Sequence, residues 1–193
     1  MREFDSQEGR STWHSVDGSN ESRLESDTST VKENDYPVTT AVRFLREKKI
    51  GFRPLLYAFE EHGGTRHSAT ELNVPEHDVV KTLVFETEAR KPLIVLMHGD
   101  REVSTKELAR ILGVKRVQPC DAGAAQRATG YVFGGTSPFG TRTALPVYVE
   151  KSIFELAKIY INGGKRGFLV EINPDVLKSA LGATEVEIAI QPS

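Results

Sequence analysis

The sequence is poor in cysteine, tryptophan and methionine, with one, one and two of them among 193 residues. A single cysteine cannot form an intramolecular disulfide or a cysteine-based zinc site, which fits a reducing cytosol. The longest apolar runs, at 92–97 and 145–149, are the size of strands. Neither approaches the roughly 18 residues of a membrane helix. The sequence therefore excludes a membrane-spanning protein and favours a cytoplasmic location.

Common catalytic patterns are also missing. The chain has no Gly-x-x-x-x-Gly-Lys-Ser/Thr motif, and its five histidines are scattered without metal-ligand spacing. We therefore expect no P-loop, no metal and no cofactor. Cys120 lies at a predicted helix start, which would lower its pKa, but the adjacent Asp121 acts against a nucleophilic role. A structural thiol is the favoured interpretation.

Charge is unevenly distributed between a tail and a body. Residues 1–37 carry nine acids and four bases, a net charge of −5, which leaves 18 acids and 21 bases, or +3, for the rest. The tail is rich in Ser, Thr, Asn and Gly and cannot bury enough apolar surface to become ordered. We predict a disordered acidic tail at 1–37 and one domain at 38–190. A second hypothesis is that the tail competes with nucleic acid for the body.

Hydrophobic periodicity divides the body into short helices and strands. Predicted helices lie at 38–49, 105–112, 121–128, 152–156 and 174–181. Predicted strands lie at 52–59, 79–86, 92–98, 145–149, 158–161, 167–172 and 186–190. The polar segment 60–70 is predicted to be a loop. Hairpin signals without regular βαβ spacing indicate an α+β fold with a mixed sheet.

Two features of the body could carry chemistry. Lys81 shares a strand face with Val79 and Leu83, and a buried lysine needs an anionic partner or a ligand. A lysine at a strand end can equally extend its amine to water, so both interpretations stay open. The loop at 134–140 contains three glycines, whose neighbouring N–H groups could approach an oxyanion or phosphate. The alternative interpretation of this loop is a long turn between strands.

Four ordered motifs give the body a resemblance to a known family. They are Val80-Lys-Thr-Leu-Val84, Ala125-Gln-Arg-Ala-Thr-Gly-Tyr131, Gly134-Gly-Thr-Ser-Pro-Phe-Gly140 and Ile159-Tyr-Ile-Asn-Gly-Gly-Lys-Arg-Gly167. Over about 38–190 the chain resembles the YbaK family of aminoacyl-tRNA deacylases, which are related to the editing domain of prolyl-tRNA synthetases. The resemblance implies a mixed, curved β-sheet with flanking helices. It also implies hydrolysis of mischarged tRNA, mostly tRNA for proline carrying Cys or Ala.

The resemblance further implies the site residues. Lys81 matches the family's functional lysine, which would hold phosphate or orient the amino group, and amides near Gly134 and Gly135 would bind the developing oxyanion. Implied substrate-binding positions are Tyr57, Thr82, Thr136, Ser137, Pro138, Asn162, Gly163 and Gly164. The loop and the hairpin look like those of the Cys-removing branch. There the substrate's own thiol attacks its carbonyl and forms a thiolactone.

Two departures from the family pattern leave the identity of the amino acid that is removed undecided. Asn162 stands where the family often has Ser, and Leu169 stands where it often has an acid. The alternatives to a Cys-tRNA(Pro) deacylase are an Ala-tRNA(Pro) deacylase and a catalytically silent module that binds tRNA or a synthetase. The expected partners are mischarged tRNA for proline and, as a second candidate, prolyl-tRNA synthetase, with no DNA or membrane. The charge of the body fits salt-sensitive tRNA binding.

Deletion of residues 1–36 should leave the melting temperature unchanged, because their composition offers no packed contacts. Thermal unfolding of the full and truncated chains measures this, and a clear drop would show that part of the segment packs on the body. If the tail screens the body, deletion should also tighten tRNA binding, more at low salt than at high salt.

Overall fold

The computed structural model describes residues 35–192, so the predicted tail lies almost entirely outside the described residues. The helices of the described part are α1 (Thr40–Glu47), α2 (Gly64–Leu72), α3 (Thr105–Leu112), α4 (Ala122–Thr129) and α5 (Asp175–Leu181), with short 3-10 turns at Glu76–Asp78 and Lys151–Glu155. Its strands are β1 (Arg53–Leu56), β2 (Val79–Thr87), β3 (Pro92–His98), β4 (Glu102–Val103), β5 (Val117–Pro119), β6 (Val147–Glu150), β7 (Ile159–Lys165), β8 (Phe168–Ile172), β9 (Thr184–Val186) and β10 (Ala189–Ile190).

One mixed sheet contains most of the strands. Its order is β1-β8-β7-β2-β3-β6-β9, with β5 also pairing with β2, while β4 and β10 pair separately. The β2–β7, β3–β6 and β6–β9 pairs are parallel, whereas β2–β3, β7–β8, β1–β8 and β2–β5 are antiparallel. The predicted α+β class with a mixed sheet flanked by helices is confirmed.

Both faces of the sheet are covered by apolar clusters. On one face α1 and α5 pack on β3, β6, β7 and β8 through a large cluster that includes Leu45, Ile161 and Leu177. On the other face α3 packs on β2 and β3 around Leu108 and Met97. Accordingly, residues 93–98 of β3 are all buried, as the apolar run predicted. No helix in residues 35–192 has the length and apolarity needed to cross a membrane.

The edge of β2 that faces away from β3 is divided between two strands. β7 pairs with Val79 and Val80, and β5 pairs with residues 85–87. On this edge no described strand pairs with 81–83, which pair with β3 on the other edge, although the Cys120 N–H donates to the Val84 carbonyl across 2.9 Å. Lys81 therefore lies at an opening in the sheet instead of within a continuous ladder.

Local sequence signals predicted α3 correctly but missed α2. The Ser104 hydroxyl accepts the Glu107 N–H and Gly113 adopts a left-handed conformation, so α3 begins and ends where its capping box and glycine predicted. The prediction of a loop at 60–70 is wrong, because α2 occupies residues 64–72. Only Ser68 and Ala69 of this helix are fully buried, so its apolar periodicity is weak, and tertiary contacts stabilise it instead.

The predicted last strand at 186–190 is interrupted. The chain forms β9 and then β10, and between them the carboxylate of Glu150 accepts the N–H groups of Ile188 and Ala189, both at 2.8 Å. Buried N–H groups need partners, and a side-chain acceptor here replaces a neighbouring strand. An alternating apolar pattern continues through such a break, so the pattern alone could not reveal it.

Tyr36 belongs to the folded body, although it precedes the predicted boundary. Its ring stacks on Phe168 at 6.0 Å between centroids and meets Phe52 edge-on at 5.9 Å. Arg46 lies over the ring and donates to its hydroxyl at 3.0 Å. A truncation after residue 36 would thus remove a packed aromatic residue, so these contacts argue against unchanged stability after that cut.

A pair of truncations tests the contribution of Tyr36. Removing residues 1–36 should destabilise the protein by about 1–2 kcal/mol relative to removing 1–34, because only the shorter deletion keeps the Tyr36 ring. For a chain of this size the melting temperature should differ by roughly 2–8 °C. Tyr36→Phe is the control, since it keeps the stacked ring and loses only the hydroxyl. Equal melting temperatures for the two truncations would contradict the prediction.

Candidate functional site

Strand parity places several predicted site residues on one face of the sheet. Val79 pairs with Tyr160, and both belong to a small buried cluster with Leu169, onto which Tyr57 packs. Lys81 follows Val79 by two residues, and Asn162 follows Tyr160 by two. Since side chains two residues apart share a face, Lys81 and Asn162 lie beside one another above this apolar floor.

Lys81 is half-buried and its ammonium group has a backbone acceptor. The Nζ atom donates to the carbonyl oxygen of Arg101, in the turn that follows β3. Burial lowers the pKa of Lys81, and the carboxylates of Glu102, Glu76 and Asp100 oppose that shift. Burial thus has the larger effect on the pKa of Lys81, and the three carboxylates offset part of it and make the surroundings of this lysine acidic.

Asn162 connects β7 to the glycine-rich loop. Its Nδ2 donates to the carbonyl oxygen of Gly134 at 3.2 Å, and its Oδ1 accepts the N–H of Gly164 at 2.7 Å. One side chain therefore holds both the start of the loop and the irregular end of β7. Because Asn162 and Lys81 share a face on neighbouring strands, the start of the loop lies on the same side of the sheet as the lysine.

The loop itself is held in a defined conformation. The N–H of Gly135 donates to Val132 at 3.0 Å, and the Tyr131 hydroxyl donates to the carbonyl of the buried Phe139 at 2.6 Å. The Gly135 amide is thus already used, which does not fit its predicted role as an oxyanion donor in this conformation. Among residues 35–192 no acceptor faces the N–H groups of Gly134 and Thr136, so these are the amides that a ligand could use.

Close packing explains the glycines of the loop and hairpin. A Cβ at Gly163 would lie 2.5 Å from the Phe168 ring, and one at Gly164 would lie 2.9 Å from Tyr131. A Cβ at Gly135 would approach the backbone of residues 165–166 to 3.2 Å. These glycines allow the loop and hairpin to touch, so their predicted substrate contacts would act through the backbone.

Three other predicted binding residues are placed less favourably for direct contact. Thr82 lies on the opposite face, and its buried Oγ1 has no hydrogen-bond partner among the described residues. Ser137 and Pro138 are buried in the loop, where the Ser137 hydroxyl accepts the Phe139 N–H at 3.4 Å. These side chains support the loop and strand, and their contact with a substrate stays a prediction.

Helix α2, which the sequence did not reveal, forms a wall of the site. His67 of α2 packs on Tyr57 at 6.2 Å between ring centroids. Its Nε2 lies 2.6 Å from the carbonyl oxygen of Ala58, and its Nδ1 lies 3.0 Å from Glu60. Burial raises the pKa of Tyr57, whose side chain is thereby kept as a neutral phenol. No spacing pattern around His67 could have revealed this contact.

The remaining reactive groups lie away from the loop. Cys120 lies near Glu86, and burial followed by the charge of that carboxylate raises the pKa of the thiol, which fits the structural role. His98 is buried, stacks on His77 at 3.8 Å and lies 2.9 Å from the Ser152 hydroxyl. Within residues 35–192 no three His, Cys, Asp or Glu side chains are grouped to hold a metal ion.

Comparison with known proteins gives a consistent result. A family model for the aminoacyl-tRNA editing domain matches residues 63–180. EbsC of Enterococcus faecalis, a candidate Cys-tRNA(Pro)/Cys-tRNA(Cys) deacylase, is 27% identical over 158 residues, which cover 81% of this chain and 96% of EbsC. The proline–tRNA ligase of Desulfotalea psychrophila is 32% identical over 99 residues, but these are 50% of this chain and only 16% of the ligase.

The fold also has a solved counterpart. The crystal structure of a candidate trans-editing enzyme for prolyl-tRNA synthetase superposes with a TM-score of 0.69 at 20% identity. The superposition covers 82% of this chain and 100% of that one. At this identity the likeness shows that the two chains share a fold.

Asn162→Asp should loosen the loop without unfolding the protein. The carboxylate still accepts the Gly164 N–H, but an oxygen replaces the donor that faces the Gly134 carbonyl, and two acceptors repel. Hydrogen–deuterium exchange should become faster at 132–140 and stay unchanged in α3. Asn173→Asp is the matched control, because Asn173 uses its Oδ1 to accept the Asp175 N–H and its amide nitrogen has no partner in the described chain. Unchanged exchange at 132–140 would show that Asn162 does not hold the loop.

Proposed function

Because this chain belongs to the aminoacyl-tRNA editing domain family, which deacylates aminoacyl-tRNA, we propose that it removes cysteine from mischarged tRNA for proline. The observation that supports this proposal is the Asn162 side chain, which binds Gly134 and Gly164 from the strand next to that of the half-buried Lys81. The similarity to EbsC over most of both chains supports the same substrate.

The proposed reaction uses the substrate's own thiol as the nucleophile. Its sulfur attacks the ester carbonyl, the bond to the ribose oxygen breaks, and the thiol proton passes to that oxygen, leaving a thiolactone and free tRNA. The Ser137 hydroxyl accepts a backbone N–H and Thr136 contacts Val132, so neither side chain has a neighbouring base to activate it. The protein would contribute positioning and oxyanion stabilisation, for which the free amides of Gly134 and Thr136 are suited.

Lys81 is better suited to the aminoacyl end of the substrate than to a phosphate. Glu76, Asp100 and Glu102 are near enough to oppose the lowering of its pKa, and the same carboxylates would repel a phosphate. Of the two roles that the family resemblance implies, orientation of the amino group is therefore the one we propose. Because two ammonium groups repel each other, the carboxylates would bind the positive α-amino group of the aminoacyl ester, and Lys81 would orient it through them.

Leu169 supports a small, uncharged amino acid. It is 4% exposed and lies beside Asn162 in the β7–β8 ladder, where many family members have an acid. With Tyr160 and Val79 it forms an apolar floor, which suits a thiol or a methyl group and disfavours a charged side chain. Alanine fits this floor as well, but it has no thiol with which to attack the ester.

Deacylation assays with matched substrates test the proposal. Purified protein should hydrolyse Cys-tRNA(Pro) and leave Ala-tRNA(Pro) largely intact, because only the cysteine ester carries the nucleophile. Faster hydrolysis of Ala-tRNA(Pro) would assign the protein to the Ala-removing branch. Binding of tRNA without hydrolysis of either ester would identify a silent binding module and contradict the proposed reaction.

Lys81→Met should reduce the rate of Cys-tRNA(Pro) deacylation at least tenfold, about 1.4 kcal/mol, while leaving the melting temperature close to that of the wild type. The methionine keeps most of the side-chain volume and removes the charge. Lys151→Met is the control, since Lys151 is an exposed lysine paired with Glu187. A variant at Lys81 that retains more than a tenth of the rate would contradict the assignment.

Binding of uncharged tRNA to the same variant separates the two roles of Lys81. A lysine that orients the amino group should leave this affinity and its salt dependence unchanged. A lysine that holds a phosphate should weaken binding and reduce the slope of log K against log salt by about one.

A further inference from the structure

Two aromatic side chains are exposed beside the glycine-rich loop. Phe133, which directly precedes the loop, is 80% exposed, and Phe59, which follows β1, is 43% exposed. Most large apolar side chains within residues 35–192 are buried, and Phe133 is the most exposed of the large apolar side chains described. Scattered exposed apolar residues are ordinary, but these two are joined by a third residue.

Arg166 links the two aromatic residues into one surface. Its guanidinium lies over the Phe59 ring at 5.2 Å from the centroid, and its Nε donates to the carbonyl oxygen of Phe133 at 2.9 Å. Stacking and hydrogen bonding fix the plane of the guanidinium, and within residues 35–192 no carboxylate pairs with it. We call Phe59, Phe133 and Arg166 the aromatic platform.

The aromatic platform is continuous with the candidate site. A Cβ at Gly134 would lie 3.4 Å from the Arg166 Nε and 3.8 Å from the Phe59 ring, so the loop backbone touches both side chains. The carbonyl of the same glycine is the one that Asn162 binds beside Lys81. A ligand that occupies the site can thus extend directly onto the platform.

We propose that the aromatic platform stacks the unpaired bases that precede the terminal adenosine of the tRNA substrate. This inference rests on the proposed function, because it takes the aminoacyl-adenosine end to lie at Lys81 and the loop. Exposed aromatic rings and an arginine plane are the groups that proteins use to stack single-stranded bases, and every base has a face to offer. Arg166 and the adjacent exposed Lys165 add positive charge suited to the phosphates between those bases.

The charge of the platform favours RNA over a protein partner. At the centre of an interface with another protein, Arg166 and Lys165 would have to face acidic groups. Single-stranded RNA instead supplies both rings for the aromatic residues and phosphates for the cations. The planar guanidinium above Phe59 also presents a stacking face of its own, which a lysine would not.

Deacylation rates with two substrates test whether the aromatic platform binds the bases that precede the terminal adenosine. With Cys-tRNA(Pro), Phe133→Ala and Phe133→Leu should each lower kcat/KM by roughly 5- to 100-fold, the range of losing one base–aromatic stack. Phe133→Tyr, which keeps the ring, should stay within about twofold of the wild type, a difference too small for a lost stack. With cysteinyl-adenosine, which lacks the preceding bases, the loss in the Ala and Leu variants should vanish. Equal losses on both substrates, or none on tRNA, would overturn the proposal.

A binding measurement keeps the test independent of the deacylase activity. Wild-type protein should bind a fluorescent, uncharged RNA tetranucleotide ending in CCA more tightly than Phe133→Ala or Arg166→Lys does. Ile111→Ala, which removes an exposed apolar side chain from α3, is the control and should bind as the wild type does. If the protein does not deacylate the substrate but binds the RNA as expected, the proposed reaction is rejected and the proposed role of the aromatic platform stands. Unchanged RNA binding in Phe133→Ala, with weaker binding to prolyl-tRNA synthetase, would reject the platform in favour of a protein interface.

Discussion

The pairing of β2 with β3 is the constraint on which the rest of the structure depends. This antiparallel ladder runs from Val80 opposite His98 to Glu86 opposite Pro92, and apolar side chains leave it on both faces. Both faces must therefore be covered, which requires helices on either side and strands on either edge. The divided edge of β2 follows from this arrangement, and it leaves Lys81 in an opening between two apolar clusters.

Sequence patterns predicted the parts of this fold that are determined locally. The capped helix α3, the buried run of β3 and the β7–β8 hairpin each depend on neighbouring residues, and Lys81 was visible as a cation in an apolar strand. Helix α2 and the packing of Tyr36 depend instead on distant partners. Neither leaves an apolar period in the sequence, so local patterns could not reveal them.

The sequence could name candidate residues for the site but not the hydrogen bonds among them. The glycine loop and Lys81 could be named from residue type and family resemblance, but the hydrogen bonds that decide which amides are free could not. Gly135 shows the difference, because a turn already uses its N–H. The carboxylates around Lys81 come from two separate segments, and only the fold brings Glu76 together with Asp100 and Glu102. Which group a lysine can bind is set by these neighbours as much as by its own charge.

The position of β1 in the sheet has a consequence for how the protein is made. Arg53 of β1 pairs with Glu171 of β8, which is 118 residues further along the chain. A ribosome that adds 5–20 residues per second needs roughly 6–24 seconds to synthesise that interval. Throughout it the edge of β1 has no strand partner within the nascent chain, whereas α1 already has Leu96 and Phe139 to pack on. Protection of this early strand during translation therefore falls to the ribosome surface or to chaperones, and the sheet is completed only when synthesis is almost finished.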